Sequence, residues 1–489
     1  KMISQSLADR VIGLASSVGV ERFFISPGSR SQSLVLAVEQ LAQVELAESY
    51  VRVDERSMSF MALGNSVASH KPSALIVTSG TAVANLHPAM LEAHHAGIPL
   101  IAITADRPTR LRGKGSNQTT LQPGIFGELI EYVDIQSEQD LNVAREKLIA
   151  ALNSSKPIQL NVCFDEPLSG QSEVTKFVEK IELSRPSKTV TEIDCSVRGV
   201  VIAGAGGDQA REFAESANWP LFAEPSSGAR SGNNAILNYE ALLKTALSEE
   251  IQSVVVFGKP TLTRVVNQLI GSQDQITVVS SDHGVFDIGD NAVSAESLKA
   301  SNPISGWLEK WQSQIQNHEF GREQLIQKIY AATNVTDSIY LGASKMIRIA
   351  NNVAPAKEVS VYSNRGLAGI DGSNSTAIGI SLNTAGVTRA IIGDLTAIHD
   401  VGGLNLSSIS QPNVQLWVVN DSGGKIFEQL EIKQQIDDEI YSKYFQTPQV
   451  FDLGLIAEGF GWAYQLIENS HQLDAAIDAP GPVIFEIKL

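Results

Sequence analysis

Short, uninterrupted apolar runs recur in three separate blocks of this chain, each followed by a turn rich in Gly, Ser or Asp and then by a helix-period stretch. In the first block the runs are Phe23-Phe24-Ile25, Ala74-Leu75-Ile76-Val77 and Leu100-Ile101-Ala102-Ile103, closing at Pro157-Ile158-Gln159-Leu160. Ile3, Leu7, Val11, Leu14 and Val18 mark a helix ahead of them. A strand that is apolar at every position must be covered on both faces, and alternation with helices makes the sheet parallel. The second block carries Gly199-Val200-Val201-Ile202-Ala203, Val254-Val255-Val256-Phe257 and Ile276-Thr277-Val278-Val279. The third carries Val359-Ser360-Val361-Tyr362, Ala390-Ile391-Ile392, Leu416-Trp417-Val418-Val419 and Val483-Ile484-Phe485-Glu486-Ile487. With 489 residues exceeding what one core usually supports, the expected fold class is α/β, with three doubly wound parallel-sheet domains at 1–183, 197–330 and 335–489. Polar Ser184 to Ser196 reads as a linker, and the charged stretch around Trp307 to Tyr330 as a helical lead into the third block.

The net charge of −17, from 37 Lys+Arg against 54 Asp+Glu, excludes nucleic acid and acidic membrane as natural partners. The same background makes any local cluster of arginines informative. Cys163 and Cys195 show neither pairing logic nor metal spacing, which fits a reducing compartment. Lys1-Met2-Ile3-Ser4 opens no charged-then-apolar leader, and no apolar run approaches the ~18 residues of a membrane span. A cytoplasmic protein is expected.

The third block holds the clearest chemistry: Gly393-Asp394-Leu395-Thr396, then Asn420-Asp421-Ser422-Gly423-Gly424. Each follows an apolar strand, so both lie at the carboxyl edge of the sheet, where open α/β sheets bind ligands. Asp394, Asp421 and a carbonyl near Gly423 are hard oxygen ligands suited to Mg²⁺. Gly423-Gly424 would admit a diphosphate, and a helix beginning near Ile426 would point N–H groups at it. Ordinary strand-to-helix turns also favour Asp and Gly, so spacing alone leaves both readings open.

These loops resemble the Gly-Asp-Gly and Asn metal–diphosphate signature of thiamine-diphosphate enzymes, with Leu395 for the last glycine and Asp421 for the asparagine. The resemblance implies thiamine diphosphate and Mg²⁺, with Mn²⁺ an alternative ion. It also gives a role to Asp54-Glu55-Arg56-Ser57-Met58, which opens a helix after a short strand. Glu55 would hydrogen-bond the aminopyrimidine ring and sit in an apolar pocket that raises its pKa. A glutamate in a first helical turn also complements the helix dipole, with no catalytic role required. Ser79 and Gly80, in Thr78-Ser79-Gly80-Thr81, would contact the cofactor. Ile370 would pack under its thiazolium ring, a position an ordinary core isoleucine would satisfy equally.

Further motifs narrow the resemblance: Ser26-Pro27-Gly28-Ser29-Arg30-Ser31, Ala105-Asp106-Arg107-Pro108, Asn117-Gln118-Thr119, Tyr362-Ser363-Asn364-Arg365-Gly366 and Gly369-Ile370-Asp371-Gly372. Together they resemble the 2-succinyl-5-enolpyruvyl-6-hydroxy-3-cyclohexene-1-carboxylate (SEPHCHC) synthase family of menaquinone biosynthesis. The likeness spans the first and third blocks; the middle block matches in architecture. It implies decarboxylation of 2-oxoglutarate and conjugate addition of the resulting succinyl carbanion equivalent to isochorismate. Both substrates are dicarboxylates, which guanidinium groups recognise well. Ser29, Arg30, Arg107, Asn117, Gln118, Ser344, Arg348 and Arg365 would bind them, with Arg264 a further candidate; each arginine taken singly also reads as a surface or ion-pair residue. Ser344 and Arg348 stand one helical turn apart and would grip one anion. The resemblance implies a homodimer or dimer of dimers, with Glu55 and Asp394 serving one cofactor from two chains. An acetolactate-synthase-like carboligase and a non-catalytic regulatory homologue are the rival readings. Tyr444 and Phe445 are candidates for an aromatic lid.

Overall fold

The computed structural model describes residues 4–184, 187–280, 284–312 and 318–489. Ile3 at the head of the expected helical series, Arg185 and Pro186 in the expected linker, and 313–317 in the expected charged helix lie outside them. The chain forms two compact units. One is Lys1–Arg185 with Asp371–Thr384 and His399–Pro412; the other is Pro186–Ile370 with Ala385–Ile398 and Asn413–Leu489.

In the first unit β1 (Arg22–Ile25), β2 (Glu48–Val51), β3 (Ser73–Val77), β4 (Leu100–Asp106), β5 (Glu131–Ile135) and β6 (Ile158–Cys163) form one parallel sheet in the order β2-β1-β3-β4-β6-β5. β3, β4 and β6 are buried along their whole length; most of β3 and of β4 are apolar runs that require it, while β6 also buries Gln159 and Asn161. Edge strand β2 has no buried residue. Leu7, Val11 and Leu14 of the helix Ser4–Ser17 belong to the same core as Phe23, Ile25 and Ile76, each buried side chain worth about 1.5–3 kcal/mol. The helix Glu55–Ser69 starts where Asp54 accepts the N–H groups of Arg56 and Ser57. It lies so close to the helix Ser373–Ser381 that a Cβ on Gly64 would sit 2.1 Å from the Thr376 carbonyl oxygen.

The second unit contains β7 (Val190–Asp194), β8 (Gly199–Ala203), β9 (Leu221–Ala223), β10 (Ser253–Phe257), β11 (Ile276–Val279), β12 (Ala292–Ala295) and β13 (Ser297–Ser301). Five of these form a parallel sheet ordered β12-β11-β10-β8-β9, and β13 pairs with β7. The unit also holds β14 (Ser338–Leu341), β15 (Ser360–Tyr362), β16 (Thr388–Gly393), β17 (Val414–Asn420), β18 (Ala463–Ile467) and β19 (Val483–Lys488), ordered β15-β14-β16-β17-β19-β18. Counted from its own first strand, this sheet repeats the order of the first unit's sheet. In both, the chain proceeds in opposite directions on either side of one gap, between β1 and β3 and between β14 and β16, and the last two strands are again reversed, β6 before β5 and β19 before β18. The carboxyl ends there open a crevice.

Two expectations are corrected. The linker at Ser184 to Ser196 contains β7, whose mostly exposed residues gain order by pairing with Ser297–Ser301, a partner that no local pattern announces. The charged stretch from Trp307 is not one helix: a single turn at Leu308–Lys310 precedes the helix Arg322–Ala332. Trp307 donates its indole N–H to the Gly199 carbonyl at 2.8 Å, and Trp311 packs on Phe222 with ring centroids 5.1 Å apart. Burial of these rings in the middle sheet's core sets the local path, against the charged helical pattern.

Candidate active site

At the second unit's crevice, β16 delivers Asp394 to the first position of the helix Asp394–His399, and β17 delivers the turn beginning at Asp421. The Gly423 N–H donates to Asp394 Oδ2 at 2.8 Å, joining the two loops. Gly423 has φ +119°, and a Cβ there would lie 2.2 Å from the Gln446 carbonyl oxygen, so no other residue fits. Asp394 and Asp421 are both buried. Burial pushes the Asp394 carboxyl above its ordinary range; backbone N–H groups of Leu395 and Gly423 oppose the shift and the Asp421 charge adds to it. Both side chains offer carboxyl oxygens to the same cavity.

A cavity of about 140 Å³ opens between these loops. Ile370, Leu395, Thr396, Gly424 and Ile426, candidate cofactor contacts in the sequence, line it, and Ile370 is half-buried. Arg322, Lys345, Lys425 and Phe427 also line it and were not foreseen. Lys345 and Lys425 each follow a recognised site residue, so their place was readable. Arg322, which ion-pairs with Asp421, comes from a helix that carries no such signal. Hard oxygens beside three cations and a glycine turn fit a metal–diphosphate group. Of the two lid candidates, Phe445 packs edge-on to Phe427 at 6.1 Å and Tyr444 is exposed.

Arg348 and Arg365 come together above β14. Arg348 donates to the Ala343 carbonyl at 3.3 Å and the Ser344 carbonyl at 2.8 Å. Arg365 donates to the same Ala343 carbonyl at 3.2 Å and to Thr261 Oγ1 at 2.5 Å. Burial lowers the pKa of Arg348, and the carboxylate of Glu224 opposes that shift. Ser344 immediately precedes the helix Lys345–Val353 and lines the cavity. Arg264 is exposed on the first turn of the helix Arg264–Gly271.

The first unit gathers its own set at the carboxyl ends of β1, β3 and β4. Arg30 is buried and donates to the Phe164 carbonyl at 3.2 Å; burial and then the neighbouring Arg107 lower its pKa. Arg107 Nε donates to the Asn117 carbonyl at 3.0 Å. Ser79 Oγ donates to the Gln118 carbonyl at 2.8 Å, and Gln118 Nε2 returns a bond to the Ser79 carbonyl at 2.9 Å. Gly80 donates to Gln122 Oε1 at 2.9 Å, a fully buried residue the sequence reading passed over. Ser29 is exposed beside Arg30. Glu55 stands half-buried on the first turn of its helix, with Asn85 donating to Oε2 at 3.4 Å; within this unit it is not enclosed by the apolar pocket expected for it. Cys163 and Cys195 are free and buried.

Residues 5–125 match the family model described as thiamine pyrophosphate enzyme, N-terminal TPP binding domain. Over nearly its whole length the chain is similar to proteins named 2-succinyl-5-enolpyruvyl-6-hydroxy-3-cyclohexene-1-carboxylate synthase. The one from Renibacterium salmoninarum is 37% identical over 99% of this chain and 94% of the relative. Those from Leifsonia xyli subsp. xyli and Clavibacter michiganensis subsp. michiganensis are 35% and 34% identical, each over 96% of this chain and 94% of the relative.

Proposed function

The chain belongs to the 2-succinyl-5-enolpyruvyl-6-hydroxy-3-cyclohexene-1-carboxylate synthase family, and from that premise we propose that it decarboxylates 2-oxoglutarate and adds the remaining succinyl unit to isochorismate in menaquinone biosynthesis. The observation that carries this reading is the pair of joined loops at Asp394 and Gly423 beside the arginine pair Arg348 and Arg365. The first suits a metal-bound diphosphate, the second a carboxylated substrate.

Asp394, Asp421 and the Gly423 carbonyl hold Mg²⁺, and Lys345, Lys425 and Thr396 take the phosphate oxygens. Thiamine diphosphate, when bound, supplies a thiazolium carbon that accepts the electron pair left by decarboxylation. Ile370 supports the cofactor from the cavity wall. Glu55 holds a proton toward the pyrimidine, with Ser79 and Gly80 beside it. Arg348, Arg365 and Ser344 of the second unit and Arg30, Arg107, Asn117, Gln118 and Ser29 of the first bind substrate carboxylates, and Arg264 adds a peripheral charge.

We divide the chain into a pyrimidine-binding segment at 1–183, a middle segment at 197–330 and a diphosphate-binding segment at 335–489; one large parallel sheet in each supports the division. The active form is a homodimer or dimer of dimers in which Glu55 and Asp394 of different chains serve one cofactor. Among the described residues no helix is long and apolar enough to cross a membrane, and a cytoplasmic location is proposed.

The test follows isochorismate absorbance with purified protein, thiamine diphosphate, Mg²⁺ and 2-oxoglutarate, beside Glu55→Gln. Loss of absorbance only with every component present, nearly abolished in the variant, is the expected result. Carbon dioxide release with isochorismate untouched would show the acceptor to be wrong. If neither substrate turns over and calorimetry detects no thiamine diphosphate binding, the assignment falls.

A further inference from the structure

Glu224 follows β9 and is only 3% exposed. Its Oε1 accepts two backbone N–H groups, from Thr261 at 2.6 Å and Leu262 at 2.8 Å, in the loop that follows β10. Its Oε2 is buried and makes no hydrogen bond with the described residues. A buried carboxylate with one oxygen unpaired is unfavourable unless the place repays it. The loop it fixes presents Thr261 Oγ1 to Arg365 Nη2 at 2.5 Å. Arg365 and Arg348 then share the Ala343 carbonyl, at 3.2 and 3.3 Å. One chain of contacts therefore runs from Glu224 through the 261–262 loop to both arginines.

We propose that Glu224 is a positioning residue: by holding the Thr261–Leu262 loop it fixes the Thr261 hydroxyl that orients Arg365, and with it the arginine pair that receives a substrate carboxylate. This rests on the proposed role of Arg348 and Arg365 in substrate binding. The alternative is a loop staple whose loss affects folding alone. The two differ in what they do to substrate affinity in folded enzyme. They also differ in what an amide at this position restores, because a glutamine oxygen accepts the same two N–H groups.

The experiment compares Glu224→Ala, Glu224→Gln, Thr261→Val and Arg365→Ala in the holoenzyme, measuring KM for 2-oxoglutarate and isochorismate, kcat and melting temperature. Arg365→Ala identifies which substrate its guanidinium serves. For that substrate Glu224→Ala is expected to raise KM about tenfold with kcat within about threefold, the worth of roughly one charge-assisted hydrogen bond. Thr261→Val is expected to do the same, the two changes together are expected to add little, and Glu224→Gln is expected to stay within twofold of wild type. If Arg365→Ala raises KM but Glu224→Ala and Thr261→Val do not, the positioning role is wrong and the substrate-binding reading stands. A Glu224→Gln enzyme as impaired as Glu224→Ala also overturns it. If Arg365→Ala itself leaves both KM values unchanged, both readings fall. Should Glu224→Ala not fold, Thr261→Val decides alone: an unchanged KM refutes the proposal.

Discussion

Replacing Glu224 by glutamine removes a buried charge while keeping the acceptor that the Thr261–Leu262 loop needs, and its effect on stability depends on pH in a calculable way. Burial raises this carboxyl from 4.5 to about 7, against the opposing pull of the Leu262 N–H, Arg365, the Thr261 N–H and Arg348. Below pH 4.5 the group is protonated folded and unfolded, so its burial is least costly and its full stabilising share is present. As pH rises toward 7 the unfolded chain ionises freely while the folded chain resists, and that share is lost. The whole span corresponds to about 3 kcal/mol, of which roughly 2 kcal/mol falls between pH 5.5 and pH 8. Thermal melts of wild type and Glu224→Gln across that range, read by fluorescence of the buried Trp307 and Trp311, should diverge by several degrees, with the variant the more stable at pH 8. Parallel curves, or a variant less stable at pH 8, would refute the argument that a charge is being held out of water there.

Gly64→Ala should destabilise the first unit by about 3 kcal/mol, because the added carbon meets the Thr376 backbone carbonyl at 2.1 Å; chemical denaturation of the variant beside wild type checks it. Gly423→Ala combines a positive φ with a 2.2 Å clash and should cost about 1–3 kcal/mol, lowering thiamine diphosphate affinity in calorimetry more than substrate affinity. Asp54→Ala loses the cap that accepts the Arg56 and Ser57 N–H groups, about 1 kcal/mol, and should reduce kcat through Glu55 while the melting temperature falls only slightly.

The strands that were readable are those whose burial is written locally. β3, β4 and β8 are apolar at nearly every position, and only a two-face-covered strand tolerates that. β7 has a mixed, exposed pattern and exists because Ser297–Ser301 lies beside it, which no window around Val190 contains. The same division runs through the site. That Asp394 and Gly423 lie at a sheet's carboxyl edge was legible because a strand followed by Asp or Gly marks that edge in any parallel fold. Arg322, 99 residues from its partner Asp421, and Glu224, 37 residues from the Thr261 N–H it accepts, act through adjacency that tertiary packing alone creates. Arg348 shows a third case: its helical spacing from Ser344 was correct, yet its guanidinium bonds the Ser344 carbonyl.

The first unit borrows Asp371–Thr384 and His399–Pro412 from far along the chain, and this has a consequence for synthesis. The helix Glu55–Ser69 buries Met58, Phe60, Met61 and Leu63, and its closest backbone neighbour is the helix Ser373–Ser381. That neighbour leaves the ribosome only after Pro186–Ile370 has been made, on the order of ten to forty seconds later at ordinary elongation rates. For that interval the nascent first unit shows an unfinished apolar face, so a chain stopped near Ser184 should be a client for chaperones and proteases, and the helix bearing Glu55 should be among the last parts of its unit to become protected.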